Sequence, residues 1–180
     1  LHDALPICAG WYAARWEAGN RVAAIANVGN TRWGMETLVD YNNPGTANNS
    51  PVMLPATIDM IAIGLDWSQN LLASDPDATP ISYQFIFGSN NPQYGTDSQI
   101  PGLTIDSYGQ LNIPSASTNT LIDETRYAYK IRVTDSSGSY SERDVLVVAR
   151  NLYGNNPPVL SMVGNKTIAA GNNLAFDVFA

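Results

Sequence analysis

Aspartate residues that follow predicted strands are the side chains of this sequence best suited to chemistry. Asp75 and Asp77 stand in the turn Leu72-Ala73-Ser74-Asp75-Pro76-Asp77, and Asp135 follows the clearest strand pattern. Short carboxylates on loops suit Ca²⁺, which binds carboxylate, amide and backbone carbonyl oxygens. Asp also caps turns through hydrogen bonds to backbone N–H groups. The sequence leaves both roles open.

The sequence contains few residues that could form the active site of a hydrolase. A Ser-His-Asp or Cys-His arrangement needs a His, and the only one is His2, close to the only cysteine, Cys8. Zn²⁺ therefore lacks its usual ligands, and glycine-rich phosphate loops are absent. Paired carboxylates for glycoside cleavage stay open, but Asp and Glu fall on predicted turns and linkers rather than around a cleft. We expect that the protein is not an enzyme.

Composition favours a β protein outside the cell. Charged residues make up 14% of the chain, and only two of them are Lys, so few long helix formers are present. A net charge of −7 gives no basic surface for nucleic acid. A single cysteine excludes an internal disulfide, which is more typical of a bacterial surface protein than of an animal receptor. No apolar run is long enough for a transmembrane segment.

The strand that positions Asp135 is predicted at Arg126–Thr134, because its side chains alternate with a period of two. One face carries Tyr127, Tyr129, Ile131 and Val133, and the other carries Lys130, Arg132 and Thr134. This pattern predicts one buried face. Further strands are predicted at Thr57–Ile63, Asp66–Ala73, Ile81–Phe87, Leu103–Asp106, Gln110–Ile113 and Tyr140–Ala149, with turns at Gly64, Gly109 and Gly138.

An internal repeat sets the domain organisation. Residues 48–52, Asn-Asn-Ser-Pro-Val, return at 155–159 as Asn-Asn-Pro-Pro-Val, and 8 of the 26 residues from 48 to 73 are identical at an offset of 107. A period near 107 is about the length of one immunoglobulin-type sandwich. It aligns Gln69 with Phe176, so Gln69 would face the core, at a sheet rim or beside a bulge.

We therefore predict an all-β chain of immunoglobulin-like antiparallel β-sandwich repeats in tandem. Residues 48–150 form a complete repeat, 151–158 a linker, and 159–180 the first two strands of the next repeat. Residues 11–47 are the last strands of a preceding domain and its linker, with strands at Tyr12–Trp16, Arg21–Asn27 and Met35–Tyr41. Residues 1–10 fit none of this pattern, and we interpret them as foreign to the domain.

With these motifs in view, residues 48–180 resemble bacterial cadherin-like and dystroglycan-type cadherin-like repeats. The similar segments are the linker at 155–160, the acidic turn at 72–77, Gly102-Leu103-Thr104-Ile105-Asp106 and the Tyr-x-Tyr-x-Ile-x-Val pattern from 127. The resemblance implies a secreted or surface-anchored modular protein with Ca²⁺-binding, adhesive repeats. The third acid of the family's turn is replaced here by Thr79, which weakens the implied Ca²⁺ site.

Sandwich topology places the entering linker, the acidic turn and the loop after Asp135 at one pole. We expect a weak Ca²⁺ site there, with Asp75, Asp77, Asp135 and Asn49 as ligands. At the other pole, Asp123 and Glu124 could reach the second linker, or Asp123 and Tyr127 could form a tyrosine corner.

The predicted function is a non-catalytic structural and adhesion module on a bacterial cell surface. Its partners would be neighbouring repeats and a cell-surface protein or polysaccharide. The alternative is an accessory domain of a secreted hydrolase that grips carbohydrate. Trp11, Trp16 and Trp33 could stack on sugar rings for that purpose, although Trp residues at strand spacing more often belong to a core.

Overall fold

The computed structural model describes residues 8–19, 21–28, 32–41, 48–87, 98–152 and 171. These ranges contain nine strands and one single-turn helix. The elements are β1 (Gly10–Ala18), β2 (Trp33–Tyr41), β3 (Ile58–Ala62), β4 (Trp67–Asn70), β5 (Ile81–Phe85), β6 (Thr104–Ile105), β7 (Gln110–Ile113), α1 (Ser115–Thr118), β8 (Arg126–Asp135) and β9 (Tyr140–Arg150).

The strands form two sheets with the connectivity of an immunoglobulin-like sandwich. The larger sheet has the order β1-β2-β9-β8-β5, and β3 pairs in parallel with the second half of β9. The smaller sheet has the order β4-β7-β6. All other pairings are antiparallel. The predicted all-β, immunoglobulin-like class is therefore confirmed.

The core lies between the two sheets, where the inward side chains of alternating strands meet. The predicted inward face of β8 is buried, as is the alternate set Val145, Val147 and Ala149 on β9. The smaller sheet contributes Trp67, Leu111 and Ile113 from the opposite side, and Leu71 joins them directly after β4. Each predicted strand of the repeat overlaps an observed one, because hydrophobic residues recur at every second position.

The second face of β8 differs from the prediction of one buried face. Lys130, expected to point to solvent, is only 1% exposed. Its ammonium lies 2.7 Å from a carboxylate oxygen of Glu142 on β9, whose side chain is equally buried. Residues 21–28 cover this region, and the Arg21 guanidinium binds the Asp144 carboxylate there. A lysine can be buried because its charge is paired.

Gln69 lies between the sheets without a bulge. β4 keeps a continuous register with β7, in which Gln69 pairs with Leu111. The Gln69 side chain accepts a hydrogen bond from the Tyr129 hydroxyl (2.9 Å) and donates one to Asp59 (3.1 Å). A polar residue is therefore stable at this inward position because each end of its amide has a partner.

The N-terminal strands are partly as predicted. The strands expected at Tyr12–Trp16 and Met35–Tyr41 correspond to β1 and β2. The strand expected at Arg21–Asn27 is wrong: only Ile25 makes a bridge, to Arg126, and Ala24 has a positive φ of 60° that interrupts extended backbone.

Strand β2 joins the sheet of the repeat through two residue pairs with β9, Thr37 with Ser141 and Leu38 with Tyr140. The strands before residue 48 thus contact the repeat itself, and a domain boundary at residue 48 stays a prediction. The predicted linker beyond Leu152 and the predicted next repeat lie outside the described residues, apart from Gly171.

Candidate functional site

One end of the sandwich brings together the predicted site residues. We call it the linker pole, and it consists of residues 48–50, the turn at 75–79 and the loop at 135–139. Asp135 ends β8 and is buried. One of its carboxylate oxygens accepts backbone N–H groups of Ser137 (2.8 Å), Gly138 (2.8 Å) and Ser139 (3.0 Å). The loop is organised by this carboxylate, and Gly138 supplies the positive φ of 99° that the turn requires.

The other oxygen of Asp135 holds Asn48, the first residue of the predicted repeat. The side-chain amide of Asn48 donates to it over 2.6 Å, and also to the Ser139 hydroxyl over 2.9 Å. Burial would raise the pKa of Asp135, but the hydrogen bonds from Asn48, Ser137 and Gly138 outweigh burial and lower it. The carboxylate is therefore ionised at neutral pH and ties together residues 87 positions apart.

Asn49 makes a second connection to the pole. Its backbone N–H donates to one oxygen of Asp77 (2.6 Å), and its side-chain amide donates to the other (2.9 Å). Both bonds are exposed to solvent. Asn49 thus donates N–H groups to Asp77, whereas the predicted Ca²⁺ site requires the side-chain amide oxygen of Asn49 as a ligand.

Asp75 caps its own turn. One carboxylate oxygen accepts the backbone N–H groups of Asp77 (2.9 Å) and Thr79 (3.2 Å). The other oxygen is buried without a hydrogen-bond partner, as is the Thr79 hydroxyl. Two buried oxygens in one five-residue turn therefore keep lone pairs that no hydrogen bond in the described residues uses.

The four predicted ligands therefore share a pole without forming one carboxylate cluster. Asp135 is bonded to Asn48, Asp77 is bonded to Asn49, and Asp75 is bonded to its own turn. Within the described ranges, no group of three or more His, Cys, Asp and Glu side chains is placed to hold a metal ion. Among the described residues, the second Asp75 carboxylate oxygen and the Thr79 hydroxyl are the buried side-chain oxygens without a hydrogen-bond partner.

The opposite pole contains a tyrosine corner. The Tyr127 hydroxyl accepts the backbone N–H of Ile122 at 3.3 Å, five residues upstream. Asp123 contributes differently: its carboxylate accepts the backbone N–H of Asn151 at 2.7 Å, where the chain leaves β9. The predicted contacts of this pole with the second linker at 155–156 lie outside the described residues.

The charged outer face of the large sheet was missed by sequence reasoning. Glu142 accepts hydrogen bonds from Lys130, Arg132 and the backbone N–H of Glu36, and Arg21 binds Asp144. Burial raises the pKa of Asp144, against the opposing effect of Arg21. The register of the β8–β9 hairpin could have predicted this face from the sequence, because a turn at 136–138 places basic residues of β8 opposite acidic residues of β9.

The exposed aromatic residues of β1 correct another expectation. Trp11 and Trp16 were expected to belong to a core, yet they are 47% and 66% exposed. Trp33 is partly buried. Seven successive residues of β1, from Trp11 to Glu17, are exposed, so this strand offers aromatic rings to solvent on both faces.

No protein-family model matches the sequence, and no curated protein matches it. Solved structures do. A nucleoside hydrolase-related hypothetical protein from Saccharophagus degradans is 18% identical (TM-score 0.41; 61% of this chain, 28% of that one). The SGBP-B of a Bacteroides ovatus mixed-linkage glucan utilization locus, solved with a heptasaccharide, is 19% identical (TM-score 0.36; 58% and 25%). The N-terminal Ig1-2 module of the Drosophila receptor protein tyrosine phosphatase DLAR is 15% identical (TM-score 0.36; 65% and 62%).

The chain spans about a quarter of the length of the first two of these structures. Similarity at these identities concerns the fold alone. Within the described residues, no helix has the length and apolar character needed to cross a membrane.

Proposed function

We propose that this chain is a non-catalytic structural module of a bacterial secreted or cell-surface protein, of the cadherin-like type, which spaces or presents neighbouring domains. The observation that carries the proposal is the linker pole. Asn48 and Asn49 are the first two residues of the predicted repeat, directly after the predicted linker, and each donates to a carboxylate of a different loop. A chain held at two points where it enters the repeat would transmit orientation from a preceding domain, which a spacer requires.

The linker connection can be tested by amide hydrogen exchange. The backbone N–H of Asn49 is donated to Asp77, so Asp77→Ala is expected to speed its exchange while the core amides of β8 stay protected. Asp106→Ala is a matched control, because Asp106 also caps an exposed turn, at Tyr108 and Gln110, but has no contact with the linker. Equal exchange at Asn49 in all three proteins would contradict the held linker.

The cellular part of the proposal has a separate test. An antibody raised against this chain is expected to stain intact, unpermeabilised cells of the source organism, or to detect the protein in the culture medium. Staining that requires permeabilisation would contradict an extracellular role. Loss of extracellular signal after protease treatment of intact cells is the corresponding control.

We further propose that the linker pole binds Ca²⁺ weakly and is stiffened by it. Support comes from the buried, unpartnered oxygens of Asp75 and Thr79. With few carboxylates available, we expect a dissociation constant on the order of 10⁻⁴–10⁻³ M. Mass action then stabilises the fold by about 1–3 kcal/mol at a tenfold to hundredfold excess of Ca²⁺ over this constant.

Thermal melts with Ca²⁺ and with chelator test this proposal. The stabilisation is expected to disappear in Asp75→Asn and to persist in Asp106→Asn, whose carboxylate caps a similar turn elsewhere. If the melting temperature does not respond to Ca²⁺, the proposed Ca²⁺ site is contradicted, and the linker pole is held by hydrogen bonds alone. The structural function would stand in that case, because the linker contacts do not depend on a cation.

Carbohydrate binding is the second candidate. It is favoured by the exposure of Tyr12 and Trp16, which share one face of β1. Affinity electrophoresis in gels that contain soluble polysaccharides would detect it as retardation that Trp16→Ala removes. Equal mobility in all polysaccharides tested would count against this role.

A further inference from the structure

Strand β1 is an open edge of the large sheet. In the described part of the chain it pairs only with β2, in an unbroken register of nine residue pairs from Gly10 with Tyr41 to Ala18 with Trp33. Its other side presents backbone N–H and C=O groups that a further strand can use. Natural edge strands are usually protected by Pro, charged side chains, a bulge or short length. The segment Gly-Trp-Tyr-Ala-Ala-Arg-Trp-Glu-Ala has no Pro and no bulge in its nine pairs, and its charged side chains are Arg15 and Glu17.

The side chains of the second half of β1 are complementary to themselves when the strand is reversed. Alternation places Ala14, Trp16 and Ala18 on one face. Arg15 and Glu17 lie on the other face, where the Arg15 guanidinium donates to Glu36 of β2 (2.7 Å) and lies 3.5 Å from the Glu17 carboxylate. If a second copy pairs antiparallel with β1 about Trp16, Arg15 of each copy lies opposite Glu17 of the other. The four side chains then alternate in charge around a square. On the first face, Trp16 meets Trp16, and the small side chains of Ala14 and Ala18 leave space for the two indoles.

We propose that a second copy of this chain docks on β1 by antiparallel edge pairing about a two-fold axis at Trp16. The contact is isologous, so it closes after two copies and leaves no further edge of the same kind. It covers the most exposed aromatic ring of the strand. Its span of five strand residues, Ala14–Ala18, places it among small, transient interfaces rather than obligate ones.

The register distinguishes this arrangement from a general tendency of edge strands to associate. A pairing centred on Ala14 would overlap the whole nine-residue strand, but it would place Trp16 opposite Tyr12 and Arg15 opposite Ala13 of the second copy. Only the register centred on Trp16 gives each charge an opposite charge across the axis. In this register, a side chain substituted at position 16 lies opposite the same side chain of the second copy.

Sedimentation equilibrium of the full chain tests the proposal. The unmodified chain is expected to approach twice its 19.4 kDa mass at concentrations on the order of 10⁻⁴ M. Trp16→Lys and Trp16→Glu are each expected to remain monomeric, because like charges then meet at the axis. An equimolar mixture of the two is expected to regain the dimer, because Lys then faces Glu. Circular dichroism melts verify that both variants fold.

Trp11→Lys is the matched control, since Trp11 is also an exposed tryptophan of β1 but lies outside the paired span. It should dimerise like the unmodified chain. The proposal is overturned if the unmodified chain stays monomeric, if the Trp16 variants still dimerise alone, or if their mixture remains monomeric.

Discussion

Replacing Asp135 by Ala removes the acceptor on which the linker pole depends. Three backbone N–H groups lose their partner, but those of Ser137 and Gly138 belong to exposed residues and can bind water instead. Ser139 is fully buried, so its N–H is left unsatisfied at a cost of about 1–3 kcal/mol. The lost charged hydrogen bond from Asn48 adds about 1–2 kcal/mol.

We expect Asp135→Ala to lower the free energy of unfolding by about 2–4 kcal/mol, after some relief from no longer burying a carboxylate. For a chain of this size, such a change lowers the melting temperature by roughly 5–15 °C. Urea unfolding followed by tryptophan fluorescence measures it, and Asp77→Ala, whose bonds to Asn49 are exposed, should cost less than about 1 kcal/mol. If the two substitutions lower the free energy of unfolding equally, the buried N–H of Ser139 does not account for the predicted loss.

The same contact predicts a pH dependence. Because its hydrogen bonds lower the pKa of folded Asp135 below that of an unfolded aspartate, its contribution is fully present above the unfolded pKa and is lost as the pH falls through the folded pKa. The difference in stability between the unmodified chain and Asp135→Asn should therefore shrink on acidification from pH 5 towards pH 2. A difference that stays constant over this range would contradict the assigned ionisation.

Two further substitutions test the sandwich itself. Gly109→Ala should lower the free energy of unfolding by about 2–4 kcal/mol, because Gly109 has a φ of 75° and an added Cβ would lie 2.7 Å from the Tyr83 ring. Gly19→Ala is the control, since nothing lies within 4 Å of the Cβ that it would add. The urea unfolding midpoints of the two variants are compared. Tyr129→Phe should cost about 1 kcal/mol by removing the hydroxyl that binds Gln69, and an unchanged midpoint would count against that hydrogen bond.

The strands of the repeat could be predicted because they are local patterns. A period of two over Tyr127–Val133 depends only on neighbouring residues, and so does a turn at Gly138 that needs a positive φ. The burial of Lys130 could not be read from that pattern, because it depends on Glu142 across a hairpin and on the segment whose Arg21 binds the neighbouring Asp144. Long-range pairing decides which polar positions become interior.

The candidate site shows the same limit at a finer scale. Topology correctly brings Asp135 and Asp77 to the linker, since their loops share one end of the sandwich. It does not give the direction of the amide groups. Asn48 and Asn49 turn their N–H groups, not their oxygens, to the carboxylates, and this orientation depends on the final hydrogen-bond geometry.

This orientation separates two ways of stiffening the proposed joint at the linker pole. Ca²⁺ neutralises crowded carboxylates and bridges them, so its effect disappears when the ion is removed. Here the amide donors of Asn48 and Asn49 already supply partial positive charge to Asp135 and Asp77. The joint should therefore hold in chelator, and the cation proposed at Asp75 would add to an existing connection. Chelator-resistant protection of the Asn49 amide, together with a Ca²⁺-dependent melting temperature, is the combined result that this arrangement predicts.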